Sequence, residues 1–237
     1  MRTRRGRWVQ EFGQGAAHAS SGREPIADVQ GDIAIGTPWV RLVVVGLAAI
    51  ALGGCGATLV VTPDQGVNLN IADRAWDPNR PDPDIGWCGE ACIQMVLGYY
   101  GLNLTQRAIN EAGDPPQADL WSDDMDRAMD VLGAHSINWP EDNEDMAALI
   151  TWIRTQLRLG YPVICGVKIY PDEMPSWDID HYVLAVGYDA DRLLLNTQLD
   201  MDGQIWVSDA QLQSTSPGYS FANRYDTYYA RAVTGVD

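Results

Sequence analysis

Residues 85–101 read Ile85-Gly86-Trp87-Cys88-Gly89-Glu90-Ala91-Cys92-Ile93-Gln94-Met95-Val96-Leu97-Gly98-Tyr99-Tyr100-Gly101 and open the part of the chain expected to fold. From Cys88, the apolar positions Ala91, Cys92, Met95, Val96 and Tyr99 follow the i, i+3, i+4, i+7 rule, which predicts a buried helix over 88–100 closed by Gly101. Cys88 falls on its first turn, where unpaired N–H groups and the helix dipole favour a thiolate and lower its pKa. Gly89 beside it lets an extended backbone approach closely. A cysteine so placed needs a base to act as a nucleophile.

Downstream, helices come first. Thr105 caps a short one over 105–112, and Ser122 caps another whose inner face is Met125, Ala128, Met129 and Leu132. Asp142 or Asn143 opens a longer one carrying Met146, Leu149, Ile150, Ile153 and Leu157, stopped by Gly160. After Tyr161 the pattern turns to strands: 163–167, 181–188, 192–196, 204–207 and about 226–233. Helices followed by antiparallel strands predict an α+β fold. Of three histidines, His181 begins a strand and is the candidate base, whereas His135 is expected in a surface loop. Asn196 is the candidate for holding the imidazole by its other nitrogen. An even-length loop between 181–188 and 192–196 puts His181 and Asn196 on one face; an odd-length loop puts them on opposite faces.

Upstream, residues 42–52 form an uncharged apolar run of the length of a signal-peptide h-region, too short to span a bilayer, with Arg41 as its positive flank. Leu52-Gly53-Gly54-Cys55 resembles the bacterial lipobox, which implies lipidation of Cys55 and a membrane anchor at the cell envelope. Residues 1–39 are expected to be an untranslated or disordered leader, with Val40 as an alternative start. Residues 56–84, rich in proline near Asp77-Pro78-Asn79-Arg80-Pro81-Asp82-Pro83, read as a linker, and 85–237 as the folded domain.

The 237 residues carry 16 Lys+Arg against 32 Asp+Glu, a net charge of −16. Residues 56–237 alone hold 10 basic and 28 acidic side chains. A surface this acidic repels phosphate backbones and argues against nucleic-acid binding. The cysteines lack the paired spacing of a zinc site, and no metal or organic cofactor is implied.

Trp87-Cys88-Gly89-Glu90-Ala91-Cys92 through Tyr100-Gly101, Leu104-Thr105-Gln106, the Gly-Tyr-Pro-Val-Ile of 160–164 and His181-Tyr182-Val183-Leu184-Ala185-Val186-Gly187-Tyr188-Asp189 together resemble the double-glycine-leader type of papain-like cysteine peptidase (peptidase family 39). The resemblance implies a papain-like fold, Cys88 as nucleophile, His181 as general base and acid, Asn196 as orienter, and a peptide or protein substrate. Members usually carry a glutamine a few residues before the cysteine, whose amide helps form the oxyanion hole. No glutamine lies between Gln65 and Cys88, and Asn79 is the nearest amide. Loss of such a donor costs about 2.7–4 kcal/mol of transition-state stabilisation. The alternative is therefore a catalytically inactive papain-like module that binds peptides or a partner protein; a further one keeps the chemistry but takes cell-wall peptide cross-links.

The remaining features have structural readings. Cys92 and Cys165 fall on apolar faces and read as packing residues, with a disulfide between them left open. Glu90 favours a helix N-terminus, though its charge opposes a thiolate and could meet a basic substrate group. Gln198-x-Asp200-x-Asp202-Gly203 has the rhythm of a calcium loop, but Asp202-Gly203 between strands reads as a turn. The acidic runs 123–126 and 141–145 read as solvated helix faces and caps.

Overall fold

The computed structural model describes residues 66–140, 145–170, 179–199, 203–222 and 228–237, all within the unit Val61–Asp237. In chain order these form β1 (Val67–Asn68), α1 (Cys88–Tyr99), α2 (Gln106–Gly113), α3 (Ser122–Val131), β2 (Ala134–Asn138), α4 (Met146–Arg158), β3 (Val163–Tyr170), β4 (Ile179–Tyr188), β5 (Arg192–Asn196), β6 (Gln204–Ser208), α5 (Asp209–Leu212), β7 (Gly218–Ser220) and β8 (Ala230–Val236). The strands make one antiparallel sheet in the order β2-β8-β3-β4-β5-β6, with β1 added to β4 and β7 to β3. The fold is α+β, as the pattern predicts.

Alternation along the strands decides which helix covers which face. Ile164, Leu184, Val186, Leu194 and Val233 pack against Cys92, Met95, Ile109, Met125 and Ala128 of α1–α3. Val163, Cys165, Val183, Ala185, Leu193 and Leu195 pack on the opposite side against Leu149, Ile153 and Leu157 of α4. Strands buried on both faces must be apolar at nearly every position, and each Val, Leu or Ile so enclosed contributes roughly 1.5–3 kcal/mol. Cys92 and Cys165 thus belong to different faces, and both thiols are free.

Helix ends follow side-chain capping. Thr105 accepts from the Ala108 N–H at 3.2 Å, as expected. The α3 start differs: Asp124 reaches back to the Trp121 N–H at 3.2 Å, so the cap lies one residue before Ser122. Residues 142 and 143 lie outside the described residues, and α4 is capped instead by Asp145, which accepts from the Ala148 N–H at 2.9 Å. Buried Arg231 of β8 grips Asp126 of α3 with two bonds of 2.9 and 2.8 Å, tying the far end of the sheet to the helical layer.

Three expectations are corrected. The stretch expected to be a linker up to 84 is packed from residue 66 onward. Val67 and Asn68 pair with Tyr188 and Gly187, Ile71 is buried, and the Asp77 N–H bonds Gln106 at 2.8 Å. A Cβ at Gly187 would sit 2.5 Å from the Val67 carbonyl oxygen, so only glycine lets β1 lie there. His135 sits on strand β2 rather than in a loop, because β2 finds its partner only in the C-terminal strand β8. The third concerns register. The β4–β5 turn is even in length, with Tyr188 opposite Leu193, but a bulge between Ala185 and Gly187 shifts the pairing so that Asn196 faces Leu184. The extra residue reverses the faces, and Asn196 ends on the α1 side, opposite to the face of His181.

Candidate active site

Cys88 is the first residue of α1, and its neighbour Trp87 is 1% exposed and donates its indole N–H to the Ala118 carbonyl at 2.8 Å, fixing the helix start. The residue is half-buried, but the thiol itself is enclosed. Burial pushes its pKa up to about 12; the Tyr182 and Gly89 N–H groups pull it back, and the carboxylates of Glu90 and Asp119 push it up further. The lowered thiol pKa expected from a helix N-terminus is therefore not what the resting site has: desolvation outweighs the oriented N–H groups.

Glu90 lies beneath, 0% exposed, with Oε1 accepting from Asn110 Nδ2 at 2.7 Å and from the Leu120 N–H at 3.0 Å. Its Oε2 has no partner, and burial raises its pKa to about 7. Asn110 and Trp87 both donate to the Ala118 carbonyl, so α1, α2 and the 118–120 segment are bound into one wall beside Cys88.

The imidazole comes from β4. His181 is 7% exposed, opposite Val167 in the sheet, and its Nε2 lies 2.8 Å from the Thr197 carbonyl oxygen. A carbonyl only accepts, so Nε2 carries the proton and Nδ1 is the basic nitrogen. Thr197 is held in turn by Gly203, whose carbonyl accepts from its N–H at 3.0 Å and its hydroxyl at 2.8 Å. Next to it, Gln198 adopts φ 59°, bonded through its N–H to Asp73 and through its amide to the Asn196 carbonyl at 2.8 Å. The N–H of Tyr182, one residue after His181, faces the Cys88 sulfur. Trp76 spans the two halves: its ring packs on Gly86, where a Cβ would come within 2.6 Å, and its centroid is 6.2 Å from that of His181. The Trp76 Nε1–H is buried without an acceptor.

The other expected site residues fall elsewhere. Asn196 is fully buried, donates to the Ile71 carbonyl at 3.0 Å and accepts from Gln204 Nε2 at 2.6 Å, and the His181 ring meets the Thr197 carbonyl instead. Asn79 is exposed at the 77–80 turn with its carbonyl on Arg107 at 2.8 Å, and the oxyanion role has no geometric support there. His135 is on the edge strand, separated from β4 by two strands, and paired with Asp237 at 2.7 Å. Cys55, the lipidation candidate, lies outside the described residues, as do Asp200 and Asp202. Among the described residues no cluster of His, Cys, Asp and Glu could hold a metal ion, and no helix is long and apolar enough to cross a membrane. Thr197 escapes a sequence reading because it meets His181 through its backbone. Trp76 escapes because it lies in a stretch whose prolines read as tether.

Residues 69–233 match the Peptidase_C39 like family. No curated protein matches the sequence. Among solved structures, a protein described as a C39-like peptidase from Bacillus anthracis aligns with TM-score 0.50 and 13% identity over 73% of this chain and 100% of its own. The peptidase domain of Streptococcus ComA, a bifunctional ABC transporter of a quorum-sensing pathway, aligns with TM-score 0.46 and 16% identity over 69% and 99%. Xylellain, a cysteine protease from Xylella fastidiosa, aligns with TM-score 0.47 and 12% identity over 74% and 88%. The matched span begins at residue 69, in agreement with packing that starts well before Cys88.

Proposed function

Since the chain belongs to the Peptidase_C39 like family and has the papain-like fold, we propose that it is a cysteine peptidase working through Cys88 and His181, with the Thr197 carbonyl as orienter. The observation that carries the reading is the meeting of the two halves: the helix bearing Cys88 begins against the His181–Tyr182 peptide, whose N–H faces the thiol. His181 Nδ1 takes the thiol proton as sulfur attacks the peptide carbonyl carbon, and the carbonyl π electrons move onto oxygen. The first-turn N–H groups of α1 and the unpartnered Trp76 Nε1–H are the donors available to that oxyanion. Collapse expels the amine, which takes the proton from the imidazolium, and leaves a thioester. Water, deprotonated by His181, then releases the carboxylic acid and the free thiol.

Cleavage of denatured casein and a peptide library by the full chain, read as new termini by mass spectrometry, tests this. Products are expected from the wild type and not from Cys88→Ala or His181→Ala; equal products from all three contradict it. A second reading, a module that binds peptides without cleaving them, is favoured by the enclosed thiol held up at about 12. It predicts binding of the library with no new termini.

The anchor is part of the same proposal. Leu52-Gly53-Gly54-Cys55 supports a lipoprotein at the bacterial envelope, reached through acylation of Cys55. Palmitate labelling lost in Cys55→Ser supports it, and a peptide from residues 1–39 in the mature protein contradicts it.

A further inference from the structure

Trp76, whose ring stands beside His181, lies between β1 and α1 in a stretch with neither helix nor strand. Regular secondary structure does not fix where this indole stands; side chains do so instead. Gln106, the first residue of α2 and only 4% exposed, accepts from the Asp77 N–H at 2.8 Å and donates to the Ala75 carbonyl at 3.0 Å. Its amide thus bonds the chain immediately before and immediately after Trp76, as a neighbouring strand would. Because one partner is an N–H and the other a carbonyl, the amide has a single orientation. Its Nε2 also donates to Gln94 Oε1 of α1 at 3.1 Å, and Gln94 is anchored by its own bond to the Leu104 carbonyl at 2.7 Å.

The indole ring is fixed as well. Arg80 lies over it with Cζ 5.4 Å from the centroid, and the guanidinium donates to the carbonyls of Asp77, Pro83 and Ile85 at 3.2, 2.5 and 2.5 Å. Gly86 leaves the space that the ring occupies. An apolar side chain of the size of Gln106 would fill its place with no polar group to satisfy. The glutamine instead uses both ends of its amide to place residues 75–77, around an indole whose Nε1–H is buried without an acceptor.

We propose that Gln106 is a positioning residue for the reaction: through the Ala75 and Asp77 backbone it holds the Trp76 Nε1–H where the oxyanion forms when Cys88 attacks. The inference rests on the peptidase reading and adds to it a residue that acts through Trp76 and not on the reacting atoms. Gln94 stands on the same helix as Cys88, so donor and nucleophile share one support. A displacement of about 1 Å in such a group is enough to lose about 10²-fold in rate.

The test compares two reactions of Cys88 in the full chain. p-Nitrophenyl acetate transfers its acetyl group to the thiolate through a tetrahedral oxyanion and releases p-nitrophenolate, whereas iodoacetamide loses iodide by direct displacement with no oxyanion. In Gln106→Met, which keeps the length of the side chain without its three bonds, acylation is expected to fall at least about tenfold and alkylation to stay within about twofold. Added to Trp76→Phe, the same change should alter acylation less than about twofold, since a residue acting only through another loses its effect with it. Gln94→Leu removes the acceptor of Gln106 Nε2 and leaves Gln106 in place; it should give the same split in smaller measure, and it decides the matter if Gln106→Met does not fold. Losses shared equally by both reactions, losses that multiply with that of Trp76→Phe, or no split in either variant overturn the positioning role while the peptidase reading stands. Acylation of the wild type no faster than that of Cys88→Ala overturns the peptidase reading, and the positioning role with it.

Discussion

His181 Nε2 lies 2.8 Å from the carbonyl oxygen of Thr197, a backbone atom in the place where a side-chain amide was expected. A carbonyl cannot flip, ionise or be exchanged by mutation, and this one is fixed by the two bonds from Thr197 to Gly203. The imidazole is therefore oriented by the fold of the β5–β6 turn.

Asn196→Ala should leave that orientation intact. Its buried amide serves the Ile71 carbonyl and Gln204. The variant is expected to lose about 1–3 kcal/mol of stability in urea while Cys88 keeps its reaction rate with acylating reagents. A rate as low as that of His181→Ala would restore Asn196 as the orienter.

Trp76→Phe separates an oxyanion donor from a packing role. Acylation of Cys88 by p-nitrophenyl acetate passes through a tetrahedral oxyanion, whereas alkylation by iodoacetamide does not. Acylation should fall about 10²–10³-fold and alkylation stay within about twofold. Equal losses in both reactions would mean that the ring only packs.

Glu90 gives stability a pH dependence. Its carboxyl holds a proton more tightly folded, near 7, than unfolded, near 4.5. The stabilisation is thus fully present below the unfolded value and is lost as pH rises through the folded one, by roughly 1–3 kcal/mol between pH 5 and 8. Urea titrations should show this decline in the wild type and not in Glu90→Gln. Parallel profiles would contradict the assignment.

The Arg231–Asp126 clamp should respond asymmetrically. Arg231 is 3% exposed and Asp126 37% at the side chain. Asp126→Asn takes the carboxylate from a buried guanidinium and should cost about 3–5 kcal/mol, whereas Arg231→Met leaves a carboxylate that can turn to water and should cost less. The reverse order in urea midpoints would argue against it.

The sequence made α1 to α4 legible because their apolar faces repeat locally, though not the four-residue α5, and it made Cys88 legible because a cysteine on a first turn beside glycine is a local pattern. β1, β2 and β7 were not legible. Each is short, and Val67, His135 and Tyr219 acquire their conformation from partners at least fifty residues away in β4, β8 and β3. Turn length alone left the faces of His181 and Asn196 open, and what separates them is one bulged residue near Val186, which leaves no mark in composition. The expected thiol pKa failed for a similar reason: the helix terminus is local and readable, whereas the enclosure of the sulfur and the placing of Asp119 are tertiary.

The pairing of Cys88 with His181 is tested most directly by the pH dependence of iodoacetamide alkylation of the full chain, mapped to Cys88 by mass spectrometry, in wild type and His181→Ala. With His181 as the base, Cys88 is expected to be labelled through the neutral range, at a rate that falls at least about 100-fold in the variant. Labelling confined to strongly alkaline pH and indifferent to His181, as burial alone would give, would contradict it.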